Sequence, residues 1–308
     1  MPCYHPMLAY YPESPDQDGN KKLTFHSSAA RGTRGYLDSV TLPCGQCIGC
    51  RLEKSRQWAI RCHHEAQMHE QSSFLTLTYD NQHLPPDGTL IKKDFQDFMK
   101  RLRKQIPQKL RYYHCGEYGE QTQRPHYHAL LFGYDFPDKM LHSENHREEK
   151  LYTSDLLRQT WGKGHCLIGE VTFDSAAYVA RYCMKKVNGK NALDHYTTSV
   201  DLETGLINTK QPEYSTMSLK PGIGRTWLDK YQSDVYPSDE VIINTKAMKP
   251  PKYYDNVYEI QDPENMGQIK RDRYQAGIDS PKSERHSDRL KVKEKIKQIQ
   301  TKSLLREN

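Results

Sequence analysis

No stretch of this 308-residue chain approaches the roughly eighteen consecutive apolar residues that a membrane-spanning helix needs, so no such span is expected. The first twenty residues, MPCYHPMLAYYPESPDQDGN, lack a basic start followed by an apolar core, which argues against a secretory signal. No GxxxxGK[ST] occurs either. The nearest glycine cluster, PGIGR, is too short, which removes a P-loop NTPase. Internal repeats are absent, and acid is not in excess: 45 Lys and Arg face 39 Asp and Glu, for a net charge of +6. Twenty-one tyrosines accompany those cations, a pairing that suits a polyanion whose bases stack on aromatic rings, with a well-solvated surface as the plain alternative. Eight cysteines beside fourteen histidines, with no export signal, read as ligands or small buried groups in a reducing compartment.

Hydrophobic periodicity organises the chain up to about residue 190. Residues 1–43 are turn-rich, with LTFH and GYLDSVTL as short strands. CRLEKSRQWAIRCHHEAQMHEQ has helical spacing, SSFLTLTYD alternates as a strand, and KKDFQDFMKRLRKQI carries Phe95, Phe98, Met99 and Leu102 on one helical stripe that Pro107 ends. LRYYHCGEYG and PHYHALLFGYDF form a hairpin. A charged excursion at 137–150 precedes a short helix in LYTSDLLRQTWGKG, a strand in HCLIGEVTF, and a helix in DSAAYVARYCMKKV with Asp174 as N-cap. The order predicts an α+β fold with a mainly antiparallel sheet. Three regions are expected: a Cys-rich segment, 1–50, packed on the main domain; the main domain, 51–230; and an extended, basic region, 231–308, ending in a helix at LKVKEKIKQIQTKSLL.

Within the hairpin, His126 and His128 stand at i and i+2, so both imidazoles share one face of the strand while Tyr127 takes the other. Tyr127 is therefore expected to tolerate another large apolar residue. Glu117, nine residues before His126, comes roughly opposite across the turn, and Glu120 is an alternative. Two imidazoles and a carboxylate leave open positions on a metal, as catalytic sites do, and suit Mg²⁺ or Mn²⁺ meeting phosphate, although Zn²⁺ binds such donors more tightly. The competing reading is that Glu117 fastens the turn to Arg124.

In DSAAYVARYCMKKV, about 100° per residue places Tyr182 some 40° round from Tyr178, with Lys185 between them and Arg181 close by. Ala176, Val179, Ala180, Cys183 and Val187 form the opposite, core-facing side. Cations beside a phenol stabilise its phenolate, so a metal and two tyrosines suggest two successive covalent phosphoryl transfers. Upstream, Cys44, Cys47 and Cys50 are spaced CxxCxxC, fit for three corners of a structural Zn²⁺ site whose fourth ligand is Cys3, His5 or Cys62. An iron–sulfur cluster and unliganded thiols are the alternatives.

FLTLTY, HYH and YVARYCMKK, in that order and spacing, resemble the three motifs of the HUH endonucleases that start rolling-circle replication. The fuller run over residues 1–230, with MPCYHP, LPCGQCIGCRLEKSRQWAIRC, CGEYG, RPHYHALLFG and SLKPGIGRTWLDKY, resembles the replication initiators of microviruses, particularly the gokushovirus branch. The resemblance implies a central five-stranded antiparallel sheet flanked by helices (ferredoxin-like or RRM-like). It implies His126, His128 and Glu117 around a Mg²⁺ or Mn²⁺ ion, and Tyr178 and Tyr182 as nucleophiles that nick and rejoin single-stranded origin DNA through a 5′-phosphotyrosine. Lys185 would neutralise the scissile phosphate or assist tyrosine deprotonation, and Thr76, Thr78, Arg181 and Lys186 would contact DNA. A host helicase and polymerase in the bacterial cytoplasm would complete the process. Two other classes remain: a non-catalytic zinc-containing DNA-binding protein, and a metallohydrolase without a covalent step.

Overall fold

The computed structural model describes residues 3–12, 23–25, 36–119, 121–144, 148–182, 186, 192–200, 207–279 and 281–304. The chain divides into two units, Met1–Lys54 with Arg271–Asn308, and Ser55–Lys270. In the first, β1 (Met7–Pro12) pairs antiparallel with β2 (Tyr36–Leu42), and the cysteine-rich turn leads into α1 (Ile48–Ala66), whose first turns belong to this unit. Among its described residues, 23–25, LTFH contributes a bridge from Thr24 to Tyr10.

The second unit is built on β3 (Ser72–Tyr79), α2 (Lys92–Gln105), β4 (Arg111–Tyr118), β5 (Pro125–Phe132), β6 (Met140–Glu144), β7 (Lys150–Thr153), α3 (Asp155–Trp161), β8 (Gly164–Gly169) and α4 (Phe173–Tyr182). Then come α5 (Ala192–Tyr196), β9 (Thr197–Val200), β10 (Ile207–Thr209), β11 (Tyr214–Met217), α6 (Arg225–Val235), β12 (Val241–Ile243), β13 (Lys246–Met248), α7 (Lys252–Gln261) and α8 (Pro263–Asp279). The basic α9 (Ser287–Leu304) returns to the first unit.

The fold is α+β, and its sheet has seven strands in the order β11-β4-β5-β3-β8-β7-β6, every pair antiparallel. Five strands were expected. The charged excursion supplies β6, the start of the segment read as the helix LYTSDLLRQTWGKG supplies β7, and β11 adds to the other edge. Every residue of β6 is exposed and every residue of β11 is half-buried, so neither carries the period-2 apolar signal by which a strand is read from sequence.

Strict alternation in β3 divides the core in two. On one face Leu75, Leu77, Tyr127, Ala129 and Leu131 meet Phe95, Phe98, Met99 and Leu102 of α2 and Leu157 and Trp161 of α3. On the other, Tyr113, Cys115, Leu130 and Phe132 meet Ala59 and Cys62 of α1 and Ala176, Val179 and Ala180 of α4. The Glu117, His126 and His128 side chains lie on this second face.

Three local expectations change. Helix α4 is capped by Thr172, not Asp174: the Thr172 hydroxyl accepts from Ser175 N–H at 3.1 Å and the Ser175 hydroxyl accepts from Thr172 N–H at 2.8 Å, a reciprocal capping box. Asp174 sits in the first helical turn. Beyond residue 231 the chain is helical rather than extended: α7 and α8 bury Tyr254, Val257, Tyr258, Met266 and Ile269 against Ile60 of α1 and Leu228 and Val235 of α6. Tyrosines carry this core, with Tyr236 stacked on Tyr258 at 4.1 Å, and so it escapes a search for aliphatic stripes. Finally, Tyr127 does not present a plain apolar ring. Its buried hydroxyl donates to Ile91 C=O at 2.9 Å, accepts from Ile91 N–H at 3.0 Å and lies 2.7 Å from the Tyr79 hydroxyl.

The glycine cluster PGIGR fastens α1 to α6. Gly224, at φ +78°, donates its N–H to Glu65 Oε2 at 2.7 Å, and a Cβ there would lie 2.5 Å from the Tyr254 hydroxyl. Glu65 Oε1 also accepts from Arg111 Nε at 2.5 Å in a pair buried on both sides. Burial pushes this carboxyl up, but the hydrogen bonds from His69 and Gly224, with the Arg111 guanidinium, outweigh it and hold it below the ordinary glutamate range.

Candidate active site

Strand β5 lies between β4 and β3, and their registers set the site. Across β4–β5, Glu117 faces His126 and Cys115 faces His128; across β3–β5, Thr76 faces His128 and Thr78 faces His126. Glu117 Oε1 lies 2.7 Å from His126 Nε2 and 3.1 Å from His128 Nε2. The three donor atoms are within 4.8 Å of one another, close enough to share one ion. The side chains of Glu117 and His128 are 2% and 4% exposed, whereas that of His126 is 16% exposed, so the set opens on the His126 side.

Protonation states follow from the remaining ring nitrogens. His126 Nδ1 is 3.1 Å from the Arg124 carbonyl oxygen, which can only accept, so Nδ1 carries the hydrogen. In the neutral ring Nε2 is then a lone pair aimed at a carboxylate oxygen 2.7 Å away. Burial pushes the Glu117 carboxyl up, but the hydrogen bonds and charge of the two imidazoles outweigh it and hold its pKa at about 2, leaving an anion at neutral pH. His128 Nδ1 is fixed by the Thr76 hydroxyl at 3.0 Å, and its ring lies near-parallel to Phe74 at 5.6 Å. Outer contacts of this kind hold metal-binding histidines in one rotamer and tautomer. Two nitrogens and one carboxylate oxygen with an open side fit a catalytic divalent cation.

Helix α4 lays Tyr178 beside this set. Its half-buried ring meets the His128 ring edge-on, centroids 5.2 Å apart, and the Phe74 ring at 6.2 Å. Tyr182 is the last residue of α4. Its side chain, and Lys185 and Glu120 altogether, lie outside the described residues. Thr78 and Arg181 are half-buried and Lys186 is exposed. The Arg124 guanidinium donates to Tyr79 C=O at 2.9 Å and Asn81 Oδ1 at 2.8 Å rather than to Glu117, so it fastens the hairpin to β3.

A second donor set stands in the first unit. Cys3, Cys44, Cys47 and Cys50 bring their sulfurs within 4.8 Å of one another. Tyr4 N–H donates to Cys47 Sγ at 3.3 Å, Cys44 N–H to Cys3 Sγ at 3.2 Å and Cys47 N–H to Cys44 Sγ at 3.3 Å. Burial opposes ionisation of Cys47, but the N–H groups of Tyr4 and Cys50 hold its pKa down at about 7; burial pushes Cys3 and Cys50 up. Of the three candidates for a fourth ligand the fold selects Cys3. Cys62 is fully buried among Ala59, Tyr113 and Leu130, and His5 Nε2 bonds Glu294 of α9 at 2.6 Å.

Comparison with known proteins bears on what this geometry serves. A family model described as replication-associated protein ORF2/G2P matches residues 72–187. Replication-associated protein VP4 of Bdellovibrio phage phiMH2K is 38% identical over 237 residues, covering 74% of this chain and 70% of that protein. The chain belongs to the microvirus replication-associated proteins. Replication-associated protein ORF2 of Spiroplasma virus 4 is 31% identical over 235 residues, 72% of this chain and 69% of that protein. Replication-associated protein ORF4 of Chlamydia phage 1 is 29% identical over 225 residues, covering 70% and 53%. No solved structure matches the chain significantly. The family match begins at β3 and takes in Glu117, both histidines and α4, whereas the four cysteines lie before it.

Two contacts of the site were not read from sequence. Thr76, expected as a DNA contact, also places its hydroxyl 3.0 Å from His128 Nδ1. Phe74, which lies against both His128 and Tyr178, was not singled out. Period-2 alternation along FLTLTY does put Phe74 and Thr76 on one face. It takes the pairing of β3 with β5 to put that face beside the histidines.

Proposed function

We propose that this chain initiates rolling-circle replication of a phage genome by nicking and rejoining single-stranded DNA at the origin through a 5′-phosphotyrosine. One observation carries the reading: a Glu117–His126–His128 donor set with the Tyr178 ring 5.2 Å from that of His128. The three side chains would hold Mg²⁺ or Mn²⁺, which would draw charge from the non-bridging oxygens of the scissile phosphate. The Tyr178 phenol loses its proton to solvent and its oxygen attacks phosphorus. The bond to the 3′ oxygen breaks, that oxygen takes up a proton, and the 5′ phosphate stays esterified to tyrosine. The free 3′-OH primes synthesis by a host polymerase behind a host helicase, in the bacterial cytoplasm. Tyr182 repeats the transfer on the newly made strand and releases the circle. Lys185 balances charge on the scissile phosphate or assists deprotonation, and Arg181, Lys186, Thr76 and Thr78 hold the strand. The activity belongs to residues 51–230, with the basic C-terminal helix as auxiliary DNA contact and a structural Zn²⁺ on the cysteines.

The test is incubation with an origin-bearing single-stranded oligonucleotide and Mg²⁺ or Mn²⁺. A protein–DNA adduct that survives SDS and disappears when both Tyr178 and Tyr182 are Phe supports the proposal. Cleavage without an adduct points instead to a metallohydrolase. The four-cysteine set favours a second reading, a non-catalytic zinc-containing DNA-binding protein, for which binding without cleavage would be the outcome.

A further inference from the structure

The four sulfurs of Cys3, Cys44, Cys47 and Cys50 raise a question that DNA chemistry does not answer. We infer that they bind one Zn²⁺ as a closed tetrathiolate, and that this ion ties the N-terminal strap to the start of α1. The inference goes beyond the nicking reaction and does not depend on it.

The donor set is complete and of one kind. Zn–S bonds of about 2.3 Å make a tetrahedron whose edges are about 3.8 Å, and all four sulfurs here fall within 4.8 Å of one another. A cubane cluster puts an iron under each thiolate and spreads the four apart, so a single ion suits this spacing better. No disulfide joins any of the four. Backbone N–H groups of Tyr4, Cys44 and Cys47 point at three of the sulfurs, the outer-shell donors that offset the negative charge of zinc-bound thiolates. Four thiolates leave no coordination position open, which makes the site structural rather than catalytic.

The ligands also say what the ion holds. Cys44 and Cys47 precede the helix and Cys50 lies in its first turn, so a CxxCxxC loop alone would organise only the entry to α1. Cys3 lies before β1, brought beside Cys44 by the Met7–Leu42 pairing at the open end of the β1–β2 hairpin. Its participation closes a loop from residue 3 to residue 44, and closing so long a loop restrains the unfolded chain far more than the local clip does. Tyr4, whose N–H donates to Cys47 Sγ, and His5, bonded to Glu294, extend the fastened segment by two residues.

The experiment is metal analysis of full-length protein purified anaerobically without chelator, on the His126→Ala/His128→Ala double variant as well as on the unaltered chain. About one zinc per chain in both is expected; loss of the zinc in the double variant would mean it sat on the histidine site and would overturn the proposal. Iron, acid-labile sulfide, or no metal with two disulfides by mass would overturn it as well. Because cysteine variants can fail to fold, the ligand count is read on the unaltered sequence after exchange with Co²⁺. Intense thiolate-to-cobalt charge transfer with tetrahedral d–d bands is expected, and an octahedral spectrum refutes the tetrathiolate. Stripping the metal should make residues 1–47 cleavable by protease at least tenfold faster, and an unchanged rate would remove the strap.

Discussion

At the scale of single residues the site depends on what aims each imidazole. Thr76 holds His128 Nδ1 at 3.0 Å, so Thr76→Val should weaken Mn²⁺ binding by about 10- to 100-fold while the fold persists. Calorimetric titration checks this, and unchanged affinity would return Thr76 to a plain surface role. His126→Ala or His128→Ala should abolish cleavage, since either removes a donor from a set of three. Tyr127, between them, is no bystander. Tyr127→Phe strips the hydroxyl that serves both backbone groups of Ile91 and should cost about 1–3 kcal/mol in urea unfolding, with metal binding intact. The pairing of Glu117 with His126 was legible from hairpin arithmetic. The role of Thr76 was not, because it depends on a partner fifty-two residues away.

At the scale of elements, α4 presents Tyr178 to the histidines because its opposite side, Ala176, Val179 and Ala180, is buried and because Thr172 and Ser175 cap its start. Thr172→Ala should cost about 1 kcal/mol of stability and lower the yield of covalent adduct, readable by denaturation and by SDS gel. The helix was readable from its stripe; its true cap was not, since Thr172 and Asp174 are both good capping residues and only the backbone course separates them. Strand β6 was read as part of an excursion because its exposed residues leave no alternation to detect, and the four-residue β7 was absorbed into the helix that follows it. The element that anchors α1 is the buried Glu65 carboxylate, which serves Arg111 of β4 and Gly224 before α6 together. Removing it strands a buried guanidinium, and Glu65→Ala should cost about 3–5 kcal/mol.

At the scale of the molecule, acid is the expected weakness. Burial, with the nearby charge of His63, holds the pKa of His64 down at about 3; burial holds His114 well below its ordinary value, with a smaller contribution from His128. His64 lies on Trp227 at 3.5 Å and His114 on Phe95 at 3.5 Å. Both rings stay neutral in the folded chain, while the unfolded chain protonates them below about pH 6.5. Stability therefore falls as pH drops below 6.5, toward 3 in the case of His64, and between pH 7 and 5.5 the loss should be about 1 kcal/mol per ring. Urea unfolding at the two pH values measures it, and His64→Phe should reduce the slope.

The sequence by itself determined the chemistry available and most of the elements: which strand carries two histidines on one face, which helix carries tyrosines opposite a core stripe, and that the cysteines are spaced for a metal. These are local properties, set by the periods of helix and strand. Only the tertiary structure decided that Thr76 aims a histidine, that Cys3 rather than Cys62 joins the cysteine set, and that the tyrosines of α7 make a core. Each of those is a contact between residues far apart in the chain, and its energy appears only when the strands register and the helices dock.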